Sequence, residues 1–484
     1  MCGIAGISKF DGARIAPSEV TALGDALEHR GPDDIGYLGY CPGTSPSVAR
    51  TPDATRGAAT AFVHRRLSIL DLSPAGFQPM GSADGRYWII FNGEIYNYLE
   101  LRPELQALGH SFHTQTDTEV LLAALIQWGK GALRRLVGMF AFALLDTRNN
   151  HLLLVRDFFG IKPLLYRWDG RQFAFASELK ALLRLPRAPR QIQPQRLFEY
   201  LRFGLTDHGG QTLLDGYHQL PAAHYLEMSL EKPVAPVPVP YWQPDLTSRA
   251  DLSFDEAAKE LRKLFLKSVD LHLRSDVPVG ACLSGGIDSS SIVSVMRHLR
   301  GSALDLSTFS YVAEEAKISE EKWADLASHA AGAKIFKTRP NAEELLDDLQ
   351  RIVELQDEPF TTTSIYAQYK VFQLIRRHGV KVVLDGQGAD ELLGGYSNFQ
   401  GARFASLIHQ GRWGAAYSFW KAATASAHGR RLLFYAGEFL LPSHLQRPFR
   451  HWLGKDLVPA WIERSWFIER GVSLVSPRRL RPRF

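Results

Sequence analysis

A proline-rich run, KPVAPVPVPYWQPD from Lys232 to Asp245, divides this chain into two stretches of different texture. Proline lacks the N–H that a sheet ladder needs and fixes its own backbone, so the run cannot be a sheet interior and reads as an extended linker. Before it, apolar residues come in short runs that suit strands, as in AFVHRRLSIL, RYWIIFNGEIYN, MFAFALLD and HLLLVRD, with DTRNNH as a hairpin turn between the last two. Helical periodicity interrupts in SEVTALGDALEHRG, ended by Gly31 and Pro32, and in DTEVLLAALIQW. This stretch is expected to be α+β with antiparallel pairs. After the run, strand and helix alternate: a helix SFDEAAKELRKLFLKSVDLHL, a strand and glycine turn VPVGACLSGG, a helix IDSSSIVSVMRHLR and a strand LSTFSYV. The series continues with helix KWADLASHAAG, strand AKIFKTR, a helix opened by a capping box of Asn341 and Glu344, helix SIYAQYKVFQLIRRHG and strand VKVVLD. Such alternation predicts an α/β doubly wound parallel sheet covered on both faces.

Composition narrows the class. A chain of 484 residues exceeds one ordinary core, and at ~150 residues per domain two or three domains are expected. A hydrophobic share of 45% with 22% charged residues excludes a disordered chain. Cys2, Cys41 and Cys282 are too few and scattered for a disulfide framework, and no CxxC pair suggests zinc, so a reducing cytoplasm is expected. The start lacks the basic and apolar regions of a signal peptide, and no apolar stretch reaches the ~18 residues of a spanning helix, so no membrane partner is expected. Much of the +5 net charge lies in the tail, in RPFRHW and SPRRLRPRF. That points to a solvated face, or to a surface another segment covers, and not to nucleic acid.

Three stretches carry chemistry. Cys2 stands directly behind Met1. With Met1 removed it would hold both a thiol nucleophile and an α-amine of ordinary pKa roughly 7.7–8.0, able to take the thiol proton through a water. Taken alone, the stretch reads equally as a small apolar residue opening a strand. LSGGIDSSS, Leu283 to Ser291, sits where a strand ends and a helix begins. Paired glycines let backbone N–H groups approach an anion, serines add donors, and the helix start adds partial positive charge. No GxxxxGK[ST] is present, so this is a phosphate loop other than a Walker loop. Asp288 would repel phosphate unless a cation intervenes, which implies Mg²⁺. LDGQGADE, Leu384 to Glu391, also follows a strand, so the two loops can face one nucleotide and Asp390 becomes the second Mg²⁺ ligand.

Together these motifs resemble the glutamine-hydrolysing asparagine synthetases. The likeness rests on MCGI, HRGPD (His29 to Asp33), RLSILD (Arg66 to Asp71), NGEIYN (Asn92 to Asn97), TDTEV (Thr116 to Val120), RDFFGIKPLLY, FASELKAL, LSGGIDSS and DGQGADELLGGY, and runs from residue 2 to about residue 396. It implies an N-terminal-nucleophile αββα glutaminase domain at 2–215, a connecting strand and linker at 216–250, and an ATP pyrophosphatase-type synthetase domain at 251–484. By this resemblance Cys2 attacks the glutamine side-chain amide, and Asn92 with Gly93 forms the oxyanion hole. Arg66 holds the glutamine α-carboxylate, Glu94 and Asp117 hold its α-ammonium, and Leu67 and Ser68 complete the pocket. Arg65, next on the strand, should point the other way. Cys282, Leu283, Ser284, Gly285, Gly286, Asp288 and Ser289 would bind ATP with Asp385 and Gly386, while Asp288 and Asp390 hold Mg²⁺. The acceptor implied is aspartate, amidated through an acyl-adenylate with release of pyrophosphate and AMP, and a homodimer is the expected assembly. A dry passage between the sites would keep ammonia unprotonated.

Two departures from the pattern stand out. Asp385-Gly386-Gln387-Gly388 replaces the SGEG of asparagine-forming members, and Gln cannot act as a general base. No counterpart of the family's EARVPFLD segment follows Phe399, so the synthetase part reads as C-terminally missing or divergent. The chain is therefore expected to hydrolyse glutamine and to make little amide by itself. Other readings are an amidotransferase for a carboxylate on a saccharide or peptide, and a non-catalytic nucleotide-binding protein.

Overall fold

The computed structural model describes residues 1–206, 208–246, 250–315, 319–424, 432–452, 454 and 458–474. They group into two units, one of Met1–Gln193, Asp207–Gly285 and Val293–Leu384, the other of Pro194–Thr206, Gly286–Ile292 and Asp385–Phe484.

In the first unit, the stretch before the proline run folds as two stacked antiparallel sheets. One runs in the order Tyr217–Gln219, Leu165–Trp168, Gln172–Ala176, Gly3–Lys9, Thr60–Arg66, Asp34–Tyr40 and Ser47–Ala49. The other runs Val239–Pro240, His224–Ser229, His151–Arg156, Gly138–Asp146, Tyr87–Ile95 and Met80–Gly81. Alternation along the strands sorts the side chains. Ile4, Phe62, Ile90, Ala143 and Leu154 meet between the sheets. Ala5, Ile7 and Val63 turn outward onto helices Pro17–Ala26 and Leu179–Leu182. Phe91, Phe140 and Phe142 turn outward onto helix Asp117–Trp128. The outcome is the expected αββα sandwich.

The proline run closes one sheet edge, where Val239 and Pro240 pair with Tyr225 and His224. An edge tolerates proline because only one side of the strand needs partners. Tyr241 pins the run, its hydroxyl donating to Arg156 O at 2.8 Å. Beyond it lie four parallel strands in the order Lys334–Thr338, Ser307–Tyr311, Val279–Cys282 and Val382–Leu384. Phe309 packs on Val371 and Ile375 of helix Ser364–Arg377.

The cap of helix Ala342–Gln356 differs from expectation. Asn341 Oδ1 accepts the Glu344 N–H at 2.9 Å, but the Glu344 carboxylate pairs at 2.6 Å with Lys370. Lys370 is buried and needs counter-charge more than an exposed cap amide needs an acceptor. A complete capping box forms instead at Ser253 and Glu256, opening helix Phe254–His272.

In the second unit, helix Pro194–Phe203 buries Phe198 against Phe467, ring centroids 5.3 Å apart, beside Ile462 and Val472. Helices Ser397–His409, Trp413–Thr424 and Leu432–Leu440 share a core of Phe404, Leu407, Ala416, Leu432 and Ala436. Among the described residues no helix is long and apolar enough to cross a membrane.

Phe62 is fully buried between the sheets, edge-on to Phe175 at 5.6 Å. Phe62→Ala should therefore cost ~3–5 kcal/mol of stability, read from the first transition in urea unfolding.

Candidate active site

Cys2 precedes strand Gly3–Lys9, whose register sets Gly3 opposite Arg65 and Ile4 opposite His64. Cys2 thus shares the inward face of Ile4, His64 and Arg66 share that of Phe62, and Asn92 and Glu94 share that of Ile90. The thiol is flanked by Leu67, whose N–H donates to Sγ at 3.4 Å and whose carbonyl accepts from it at 3.7 Å. Burial pushes the thiol above its usual range, against the pull of the N-terminal ammonium and the Leu67 N–H. Although the Met1 side chain is exposed, burial takes the Met1 α-ammonium down to about 5, so the Met1 amine is neutral at pH 7.

Asn92 is fully buried, and neither its Oδ1 nor its Nδ2 has a hydrogen-bond partner. A buried amide left unpaired costs on the order of 1–3 kcal/mol, so it calls for a functional explanation. At Gly93 a side chain would collide with Met139 O on the neighbouring strand. His64, held neutral because burial lowers it to about 4, donates to Phe91 O at 3.0 Å and fixes the strand just before Asn92.

Arg66 is buried with its guanidinium on a turn of backbone: Nη1 donates to Ser73 O at 3.0 Å, and Nη2 to Leu70 O at 3.3 Å and Asp71 O at 2.5 Å. Arg65 points the other way, to Gly24 O and Asp25, as alternation predicts. The Ser68 N–H donates to Asp33 at 2.8 Å. Asp117 opens helix Asp117–Trp128 and accepts the Ile95 N–H at 2.8 Å. Burial nevertheless raises its carboxyl to about 6. Burial, followed by the charge of Asp117, raises Glu94 well above the ordinary carboxylate range. The positive charges of Lys162 and the N-terminus act the other way on Glu94 but do not outweigh its burial.

Three further residues complete this end, and only the motifs RDFFGIKPLLY, HRGPD and FASELKAL pointed to them in the sequence. Lys162 is buried, and burial with the nearby Arg30 brings its ammonium down to about 8, against the raising charges of Glu94 and Cys2. Arg30 donates through Nε to Cys2 O at 2.9 Å and through Nη1 to Glu178 at 2.6 Å. Burial alone would raise Glu178, but the His29 hydrogen bond and the charges of Arg30 and Lys180 outweigh it and hold the carboxyl at about 2.

The stretch LSGGIDSSS runs from the first unit into the second. In the first, strand Val279–Cys282 leads into Leu283, whose N–H donates to Phe309 O at 2.9 Å and whose carbonyl accepts from Ser310 Oγ at 2.5 Å. After Ser284, Gly285 has φ +89, and a side chain there would strike Ala324 N and Trp323. In the second, Gly286 O accepts the Ser290 N–H at 3.0 Å and Ser289 Oγ–H at 3.3 Å, starting helix Ile287–Arg300 with Asp288 in its first turn. A Cβ on Gly386 would stand 3.2 Å from Asp288 Cβ and from Ser289 N, so the two predicted loops touch. Burial raises the Asp385 carboxyl, against the N–H groups of Gly386 and Gln387. Asp390 lies where a side chain on Gly395 would meet its carboxylate.

These features define a two-part class: an N-terminal-nucleophile sandwich joined to a parallel α/β sheet whose strand Val279–Cys282 runs through a glycine turn into a helix. Family models agree, a glutamine amidotransferase domain matching residues 1–242 and asparagine synthase matching residues 260–465. "Asparagine synthetase [glutamine-hydrolyzing] 1" of Bacillus subtilis strain 168 is 36% identical over 419 residues, covering 83% of this chain and 60% of that protein. "Putative asparagine synthetase [glutamine-hydrolyzing] 2" of Methanocaldococcus jannaschii is 34% identical over 417 residues, covering 82% of this chain and 76% of that protein. The chain belongs to the glutamine-hydrolysing asparagine synthetase family. It spans about 60% of the length of the Bacillus protein.

Lys162 is a buried cation whose charge favours the Cys2 thiolate. Lys162→Met should shift the alkylation of Cys2 by iodoacetamide to higher pH, followed by peptide-resolved mass spectrometry to separate Cys2 from Cys41 and Cys282.

Proposed function

We propose that this chain is an ATP-dependent, glutamine-hydrolysing ligase of the asparagine synthetase type, which amidates aspartate and releases AMP and pyrophosphate. The observation that carries the reading is the unpartnered Asn92 amide, fully buried on the same inward-facing layer as Cys2. It supports an oxyanion hole in which Asn92 Nδ2 and the Gly93 N–H receive the charge that develops on the glutamine amide oxygen as Cys2 attacks. Removal of Met1 would leave the α-amine on Cys2 itself, placed to take the thiol proton. Arg66 would hold the α-carboxylate and Glu94 with Asp117 the α-ammonium, with Leu67 and Ser68 beside them. A ligand ammonium would add positive charge to this acid pair beyond that of Lys162.

The residues Cys282 to Gly286 with Asp288 and Ser289 would bind the pyrophosphate end of ATP, and Asp385 and Gly386 the adenylate. Asp288 and Asp390 would hold Mg²⁺, which takes one or two carboxylates and completes its shell with phosphate and water. The approach of Gly386 to Asp288 brings the two loops together. When bound, the ion neutralises phosphate charge. The acceptor carboxylate then displaces pyrophosphate from the α-phosphorus, and ammonia displaces AMP. A cytoplasmic homodimer belongs to the same reading, its three unpaired cysteines fitting a reducing compartment. Gln387 favours a second reading, an identical sequence of steps on a carboxylate of a saccharide or peptide, because the Glu expected to manage protons is replaced.

The test is glutamate and pyrophosphate release measured separately across a panel of carboxylates. Cys2→Ala should abolish glutamate formation and leave ammonia-driven pyrophosphate release, and Asp288→Asn should do the reverse. Glutamate release by Cys2→Ala at the wild-type rate would refute the nucleophile. Pyrophosphate release with aspartate supports the first reading, and release only with another carboxylate supports the second.

Glutamine binding should also depend on pH. Asp117, raised to about 6, becomes protonated as the pH falls and then offers the α-ammonium no charge. The affinity of Cys2→Ala for glutamine, measured by calorimetry, should weaken as the pH is lowered through about 6.

A further inference from the structure

The turn that carries Arg66 is gripped by two residues of the parallel-sheet half. Asp276 lies just before strand Val279–Cys282, and its carboxylate accepts the Asp71 N–H at 2.8 Å while its own N–H donates to Ile69 O at 3.1 Å. Lys381 lies just before strand Val382–Leu384 and pairs at 2.7 Å with Asp33 Oδ2, the same oxygen that accepts the Ser68 N–H. The two strands are adjacent parallel partners, Val279 opposite Val382. One rigid edge therefore holds both ends of the segment from Ser68 to Asp71.

That segment determines where Arg66 points. The carbonyls of Leu70 and Asp71 are two of the three acceptors of its guanidinium. Asp71 adopts φ 50, a left-handed conformation that a non-glycine residue keeps only when its surroundings impose it. Its carboxylate is tied to the N–H groups of Ser73 and Gln115, and its own N–H is tied to Asp276. Losing the Asp276 acceptor would free the turn to relax and the guanidinium to turn with it.

We propose that Asp276 and Lys381 are positioning residues for the glutamine site, holding the Ser68–Asp71 turn so that Arg66 meets the substrate α-carboxylate. This rests on the glutaminase reading above. The sheet that carries the nucleotide loops at its carboxyl end thereby sets glutamine affinity from its amino end.

The test is steady-state glutaminase kinetics on the full chain with Asp276→Ala, Asp276→Asn, Lys381→Met and Lys381→Arg. Asp276→Ala and Lys381→Met should raise the KM for glutamine roughly tenfold, the size of one charge-assisted hydrogen bond, while kcat changes far less. Asp276→Asn keeps an acceptor and Lys381→Arg keeps a cation, so both should stay within about twofold of the wild-type KM. An unchanged KM in Asp276→Ala and Lys381→Met overturns the proposal. So does a fall in kcat at constant KM, or a penalty as large in the conservative variants as in the truncations. Lys381 is an exposed side chain, so Lys381→Met reads the effect even if Asp276→Ala does not fold. A wild-type chain that forms no glutamate would instead refute the glutaminase reading itself.

Discussion

The pairing of strand Gly3–Lys9 with Thr60–Arg66, in the register that sets Gly3 opposite Arg65, decides what the sandwich can do. Side chains alternate across a strand, so a slip of one residue would turn Cys2 outward and exchange Arg66 for Arg65 on the inner face. The register is held by what lies between the sheets. Ile4, Phe62 and Ile90 belong to one buried cluster, and none of them can be moved to the helix-covered side without exposing a void. Tight glycines add to this: a side chain on Gly6 would meet the rings of both Phe175 and Phe62. Hydrophobic packing several residues away thus places the thiol, the arginine and the Asn92 amide.

Around the thiol, burial works against every charge, and the pattern of compensation is uneven. Glu178 has His29, Arg30 and Lys180 about it and stays ionised. Burial pushes both Glu94 and Asp117 up, and the charge of Asp117 adds to the rise of Glu94. The first arrangement stabilises the folded chain as it stands, because the buried carboxylate is paired. The second is compensated only in part, by Lys162 at Glu94 and by the Ile95 N–H at Asp117, and the Asn92 amide has no partner. Perturbed groups of this kind cluster at functional sites in proteins generally, which is what makes this end of the sandwich the candidate site.

Much of this was legible in the sequence because it is local. The alternation in RYWIIFNGEIYN assigns Ile90 and Asn92 to one face, and alternation also separates Arg65 from Arg66. The strand, glycine turn and helix start of LSGGIDSSS are legible in the same way, Gly285 taking φ +89. What escaped is non-local or decided by competition. Glu178 gains its meaning from Arg30 and His29, far away in the chain. Glu344 matches a capping-box pattern, yet buried Lys370 takes its carboxylate. The proline run reads as a linker, and nothing in its own residues shows that Tyr241 will be anchored to Arg156.

The parallel sheet explains why the halves of the first unit meet as they do. In a parallel sheet every strand begins on one edge and ends on the other, and the ligand-binding loops follow the ends. The carboxyl ends of Val279–Cys282 and Val382–Leu384 are committed to LSGG and LDGQ, so an attached domain that leaves them open must use the amino ends. The contacts lie there: Arg274 on Glu100 and on Tyr96 O, Asp276 on the Ile69–Asp71 turn, and Lys381 on Asp33. Two more, Lys180 to Asp357 and the Leu213 N–H to Glu358, fall in the connection before helix Ser364–Arg377. All of the bonds through these residues are polar and directional, which suits a junction that must fix orientation. Apolar contact would bury area without choosing a register, whereas a misplaced charge pair here leaves Asp33 or Asp276 without its partner.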